Sequence, residues 1–222
     1  MAQAERRSSD ERRQVNDRRS VGERREQLVD AAIEVLAAEG LTGATTRAIT
    51  DQAGLALGAF HYAFESKDAL LRAVLERRAE DIETALVTAT RDISSVEEVV
   101  DRLAEVAWAI VQGRRDLEIA IYELTLHALR NPELAAVAAG KYDRYVEVVR
   151  EAISGVVDRP DENATEEIAR FLVATLDGLI LQDLVHGDPD AARRRLRMLS
   201  RAVTPVAQGE HPAPVAATPH AG

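Results

Sequence analysis

Thr45, Thr46 and Arg47 set two hydroxyls and a guanidinium side by side at the start of a short segment, Thr45 to about Ala53, in which Ile49 and Ala53 lie one helical turn apart. Hydroxyls and a cation at the positive end of a helix are groups that hold phosphate oxygens. Gly54 breaks the ladder. A second short segment follows, from about Leu57 to Phe64, with Phe60 and Phe64 four residues apart as its anchor. Gly58 and Ala59 permit close approach near its start, and His61 and Tyr62 add hydrogen-bonding tips. Two short helices joined by a glycine turn form the kind of unit that seats a helix in the major groove of a duplex.

Longer elements must hold this pair in place. A helical pattern begins at Val21, with Leu28, Ala32, Val35 and Leu36 on one face, and Gly40 ends it as the residue after the C-cap. Ser66 caps a long connecting helix to about Ala89, with Asp68 near its positive end. Ser95 and Glu98 form a capping-box pattern for a helix to about Val111. Asp116 precedes another that ends at Asn131-Pro132, and Pro132 starts one that runs to about Ile153. Residues 155 to 163 read as a loop. Asn163 with Glu166 is expected to cap a helix ending near His186, and Asp188-Pro189 to start a last helix ending near Val203. No strand pattern competes, so the expectation is all-α.

Bulk properties narrow the function classes. The chain has 222 residues and no cysteine, which excludes a disulfide framework or a thiolate metal site and fits a reducing, cytoplasmic compartment. It has neither an apolar run long enough for a membrane span nor an apolar signal core, so no membrane partner is expected. The formal net charge of −10 argues against a protein that coats nucleic acid non-specifically. Charge is uneven, however: residues 1 to 25 hold eight Arg against five acidic residues, with Arg pairs at a six-residue step from Arg6-Arg7 to Arg24-Arg25. That step matches no regular structure. It reads first as a disordered solvated arm, with the compatible alternative of an arm that follows DNA phosphates or enters a minor groove on binding. Residues 21 to 70 hold four Lys or Arg against eight Asp or Glu, so the arm would offset a reader that duplex DNA repels at long range.

The order of these pieces resembles the tetracycline-repressor (TetR) family of bacterial regulators. The resemblance spans residues 24 to 75: an amphipathic helix ending in Glu39-Gly40, then Thr45-Thr46-Arg47, then Ala53-Gly54-Leu55, then Gly58-Ala59-Phe60, then Phe64 and the run from Ser66 to Leu71. It implies a fold with an N-terminal three-helix helix-turn-helix domain joined by a long helix to a C-terminal helical ligand-binding and dimerisation domain. It also implies that Thr45, Thr46 and Arg47 touch the DNA backbone or groove edge, that Leu57, Gly58, Ala59, His61 and Tyr62 face the major groove, and that Lys67 binds a phosphate. Three departures each weaken one polar contact: Ala56 stands where Ser commonly caps, Leu57 where a polar or basic residue is common, and His61 where Tyr is usual. Base readout then leans on apolar contact, for example with a thymine methyl. Tyr62 is left open between DNA contact and packing.

The expected organisation is a disordered Arg-rich arm over 1–20, a helix-turn-helix domain over 21–66, an effector-binding and dimerisation domain over 67–203, and a disordered Pro/Ala-rich tail over 204–222. Residues 168 to 185 are apolar on nearly every side, so a second surface must cover part of that helix. Phe171, Leu172, Thr175, Leu179, Leu196 and Leu199 are the expected interface of a homodimer built as a four-helix bundle. Trp108, Tyr122, Glu123, His127, Tyr142 and Tyr145 form a sparse polar and aromatic set, read either as ordinary packing or as the lining of a site for an unidentified apolar or amphipathic small molecule. No phosphate loop, zinc-protease motif or nucleophile elbow occurs, and no cofactor is expected. Glu123 and His127 could start a metal site but lack a third ligand. The reading is a sequence-specific regulator, most simply a repressor, on a pseudo-palindromic duplex operator. A helical interaction module with an unused reader is the alternative.

Overall fold

The computed structural model describes residues 2–158 and 161–188, and positions 191, 194, 195, 198, 199, 201, 203 and 205; of residues 2–20 it describes the backbone alone. Among the described residues eight continuous helices follow in order: α1 (Ala2–Gly43), α2 (Thr46–Gln52), α3 (Leu57–Ala63), α4 (Lys67–Ala89), α5 (Val96–Gly113), α6 (Arg115–Ala128), α7 (Pro132–Ser154) and α8 (Glu162–His186). The described positions from 191 to 205 are helical as well. No strand occurs among the described residues, so the chain is all-α. None of the described helices is long and apolar enough to cross a membrane.

The expected breaks are where local chemistry put them, with two corrections. Gly40 leaves helical geometry at φ 66°, and the chain then makes one more turn before Thr45. The backbone of residues 2–20, expected as a disordered arm, continues α1 instead; Ala, Glu, Arg and Gln are good helix formers, and neither Pro nor Gly interrupts them before Gly22. The cap of α8 is Asp161, not Asn163: its carboxylate accepts the Asn163 and Ala164 N–H groups at 3.0 and 3.3 Å. A carboxylate at that end also meets the helix dipole favourably, which an amide does not. The tail over 204–222 lies outside the described residues, apart from position 205.

Two compact units arise, and they do not follow chain order. The first joins residues 1–81 to 112–141. Its core sets Leu28, Ala32, Val35 and Leu36 of α1 with Ile49, Phe60 and Phe64, with Leu70, Val74 and Leu75 of α4, and with Leu117, Ala120, Ile121, Leu124 and Ala128 of α6. Polar ties surround it. Arg114 makes a bidentate ion pair with Glu34, both bonds at 2.8 Å; Arg77 pairs with Glu26 and Asp30; and Asn131 donates to Asp68 at 2.7 Å. Arg78 and Glu118, both nearly buried, form an ion pair between α4 and α6. The second unit joins residues 82–111 to 142–222 around Val99, Val100, Leu103, Val149, Ile153, Ala169 and Leu172.

The α2–α3 turn is closed by two hydrogen bonds, from Leu55 N–H to the Thr50 carbonyl at 2.9 Å and from Gly54 N–H to the Asp51 carbonyl at 3.1 Å. This pattern requires a left-handed residue after the C-cap, and Gly54 has φ +66°. A Cβ there would meet nothing within 4 Å, so the cost of Gly54→Ala is conformational only. Urea unfolding should show a loss of about 1–2 kcal/mol for Ala, and a smaller loss for Asn, which tolerates this region better.

Candidate nucleic-acid interface

Thr45 caps α2, its side chain accepting the Ala48 N–H at 3.1 Å. A hydroxyl has two acceptor lone pairs and one donor, so capping leaves the O–H able to donate to a phosphate oxygen. Thr46 is half-exposed, and Arg47 is exposed with only a 3.8 Å contact to the equally exposed Asp51. An ion pair that open contributes little and yields readily to a phosphate.

On α3, Phe60 and Phe64 are buried with ring centroids 5.9 Å apart, and the opposite side faces outward. Leu57 is 50% exposed and Tyr62 77%, with Gly58 and His61 exposed and Ala59 half-exposed. Positions 57, 58, 61 and 62 fall on one helical face, so the expected reading residues are brought together. The exposure of Tyr62 removes the packing alternative for that residue. Ala56 at the N-cap makes no side-chain cap bond, as its methyl group dictates. Lys67 is half-exposed at the start of α4, beside the Ser66 hydroxyl that caps Ala69 N–H at 3.0 Å.

Two further residues position the pair. Arg25 stacks over the Phe64 ring, 4.3 Å from its centroid, and donates to the Ala63 carbonyl at 3.3 Å, so it holds the end of α3. Gln27 donates to the Ala53 carbonyl at 2.8 Å and holds the end of α2. The Arg pairs of the N-terminal segment hide the first of these roles. Its only signal is register, since Arg25 precedes the buried Leu28, Val29 and Ala32 by three, four and seven residues.

The six residues expected around a small molecule divide between the units. Tyr122, Glu123 and His127 belong to the first. Glu123 and His127 are exposed, and the Glu123 carboxylate accepts the Leu41 N–H at 3.0 Å, closing the end of α1. That is a structural task. Trp108, Tyr142 and Tyr145 belong to the second unit, where the two tyrosines meet edge to face at 6.2 Å. The Tyr142 hydroxyl donates to Asp177 at 3.3 Å. Burial first, and then the Asp177 charge, push the phenol above its ordinary pKa, so it stays protonated. Asp177 was not expected from its position in an apolar helix.

The expected dimer residues also divide. Phe171 is exposed, and Thr175 and Leu179 are half-exposed. Leu172 and Leu199 are buried in the second unit's own core, which corrects their assignment to an interface, and Leu196 lies outside the described residues. A helix apolar all round gives periodicity no phase, so its inward stripe and the adjacent outward one cannot be separated by pattern. The outward stripe is Phe171, Gly178, Leu181 and Val185.

Residues 28–74 match the family described as bacterial regulatory proteins, tetR family, and residues 94–205 match the tetracyclin repressor-like C-terminal domain. The chain is 27% identical over 172 residues to the HTH-type nicotine-responsive transcriptional repressor HdnoR of Paenarthrobacter nicotinovorans, covering 77% of this chain and 88% of that one. It is 33% identical to the multidrug binding protein EbrR in its crystal structure with ethidium, over 80% of this chain and 98% of that one, with a TM-score of 0.61. A TetR family member from Streptomyces coelicolor A3 is 34% identical, over 80% and 98% of the two chains, also with a TM-score of 0.61. With both halves matched in order, and the helix-turn-helix formed as described, the chain belongs to the tetR family of bacterial DNA-binding transcriptional regulators.

Proposed function

We propose that the protein is a homodimeric repressor that binds a pseudo-palindromic operator and is released from it by a small amphipathic effector. The observation that carries this reading is the outward face of α3, with Leu57, Gly58, His61 and Tyr62 exposed together above the buried Phe60 and flanked by Thr45, Thr46 and Arg47. Residues 21–66 supply the reader, and Lys67 adds a phosphate contact at its edge. Residues 67–203 supply effector binding and dimerisation, the latter through Phe171, Thr175, Leu179 and the exposed neighbours Leu181 and Val185. A two-fold axis would then set two readers about one turn of duplex apart, roughly 34–36 Å.

The effector class with most support is an aromatic cation. Asp177 sets a carboxylate beside Tyr142, whose ring meets that of Tyr145, and aromatic faces with a nearby negative charge attract such ligands. EbrR is complexed with ethidium and with malachite green, both aromatic cations, and HdnoR is responsive to nicotine, a pyridine that carries a basic tertiary amine. Release would require the effector to bind the DNA-incompetent arrangement more tightly than the competent one.

Selection from random duplex DNA tests the reading. It should enrich an inverted repeat, with binding that falls steeply as salt rises. An interaction module with an unused reader would enrich nothing.

A further inference from the structure

We infer that α6 carries a second dimer contact, in which it pairs antiparallel with α6 of a second copy of this chain and thereby registers the two readers. The inference rests on the homodimer proposed above but concerns a different helix. One side of α6 packs on α1 through Leu117, Ala120, Ile121, Leu124 and Ala128. The other side would ordinarily be polar throughout, yet beside the exposed Glu123 and His127 it carries an apolar stripe. Ile119 is 41% exposed, Leu126 and the adjoining Leu129 are each 65% exposed, and Tyr122 is half-exposed between them. These four positions step by three, four and three residues, the spacing of a seam between two packed helices.

The seam is self-complementary. Turning it end over end about Leu124 brings Ile119 onto Leu129 and the Tyr122 ring onto Leu126, so each apolar side chain meets an apolar or aromatic one. Exposed Asp116 near the start of α6 then falls close to exposed Arg130 just past its end, once on each side of the axis. A two-fold interface demands this property, because the same patch must fit itself. Four side chains per subunit are too few for a stable dimer, which buries about 800 Å² on each partner. The contact therefore supplements another interface.

Its use follows from what α6 is fastened to. Glu34–Arg114 and the Leu41–Glu123 hydrogen bond fix α6 to α1, and Arg25 and Gln27 of α1 hold the ends of α3 and α2. A paired α6 would thus register one reader against the other.

The full chain has no cysteine, which makes cross-linking clean. Tyr122→Cys and Leu126→Cys chains, mixed, allowed to exchange subunits and oxidised, should give several-fold more covalent dimer than either variant alone. In parallel, Leu126→Glu should stay dimeric by sedimentation yet lose at least tenfold in operator affinity. Absence of the mixed cross-link in a chain that sediments as a dimer, or unchanged operator affinity of Leu126→Glu, would overturn the α6 pairing while leaving the homodimer intact. A wild-type chain that is monomeric while bound to its operator would overturn both.

Discussion

Phe60→Ala should cost about 3–5 kcal/mol, the range for deleting a large buried aromatic side chain. Phe60 is among the largest fully buried side chains, and it is the sole buried residue of α3. A seven-residue helix cannot persist on propensity alone, since isolated helices under about 12 residues are marginal. Loss of its anchor therefore detaches the reading face as well as opening a cavity. Operator binding should disappear under conditions where far-ultraviolet circular dichroism still reports most of the helical signal. Phe60→Leu is the informative companion, because it keeps part of the anchor and should keep part of the binding. If Phe60→Ala retained wild-type affinity, α3 would not be held in the way described.

Glu118→Ala should be comparably damaging, at about 3–5 kcal/mol, for an electrostatic reason. Glu118 is buried and its partner Arg78 nearly so, with side chains 7% and 14% exposed. Removing the carboxylate strands a guanidinium that cannot deprotonate and is left, among the ion pairs of the described residues, with the more exposed Asp81 at 3.9 Å. The double variant Arg78→Met, Glu118→Leu removes both charges of the pair, so it should recover the part of the loss that comes from stranding Arg78. Thermal unfolding of the wild type, the two single variants and the double variant measures the coupling. Additive losses would mean that the ion pair contributes nothing of its own.

What could be read from residues alone was what is decided within a few positions. The Thr45 cap, the Gly54 turn, the Phe60–Phe64 anchor and the departure at Ala56 are all local chemistry, and all are found in place. The pairings that were missed act over long separations. Glu123 reaches back 82 residues to Leu41, Tyr142 pairs with Asp177 across 35, and Arg25 meets Ala63 across 38. No periodicity encodes such meetings. Leu172 failed for another reason: beside Phe171 on a helix with apolar residues on every side, only the packed fold decides which of the two turns inward.

Because α6 completes the hydrophobic core around α1, the helix-turn-helix is not a detachable cartridge. A chimera made by grafting residues 21–66 onto a foreign body would leave Leu28, Val35 and Leu36 facing a host surface never shaped for them. Engineers exchanging operator specificity between relatives therefore do better to transplant single side chains on α3 than whole fragments.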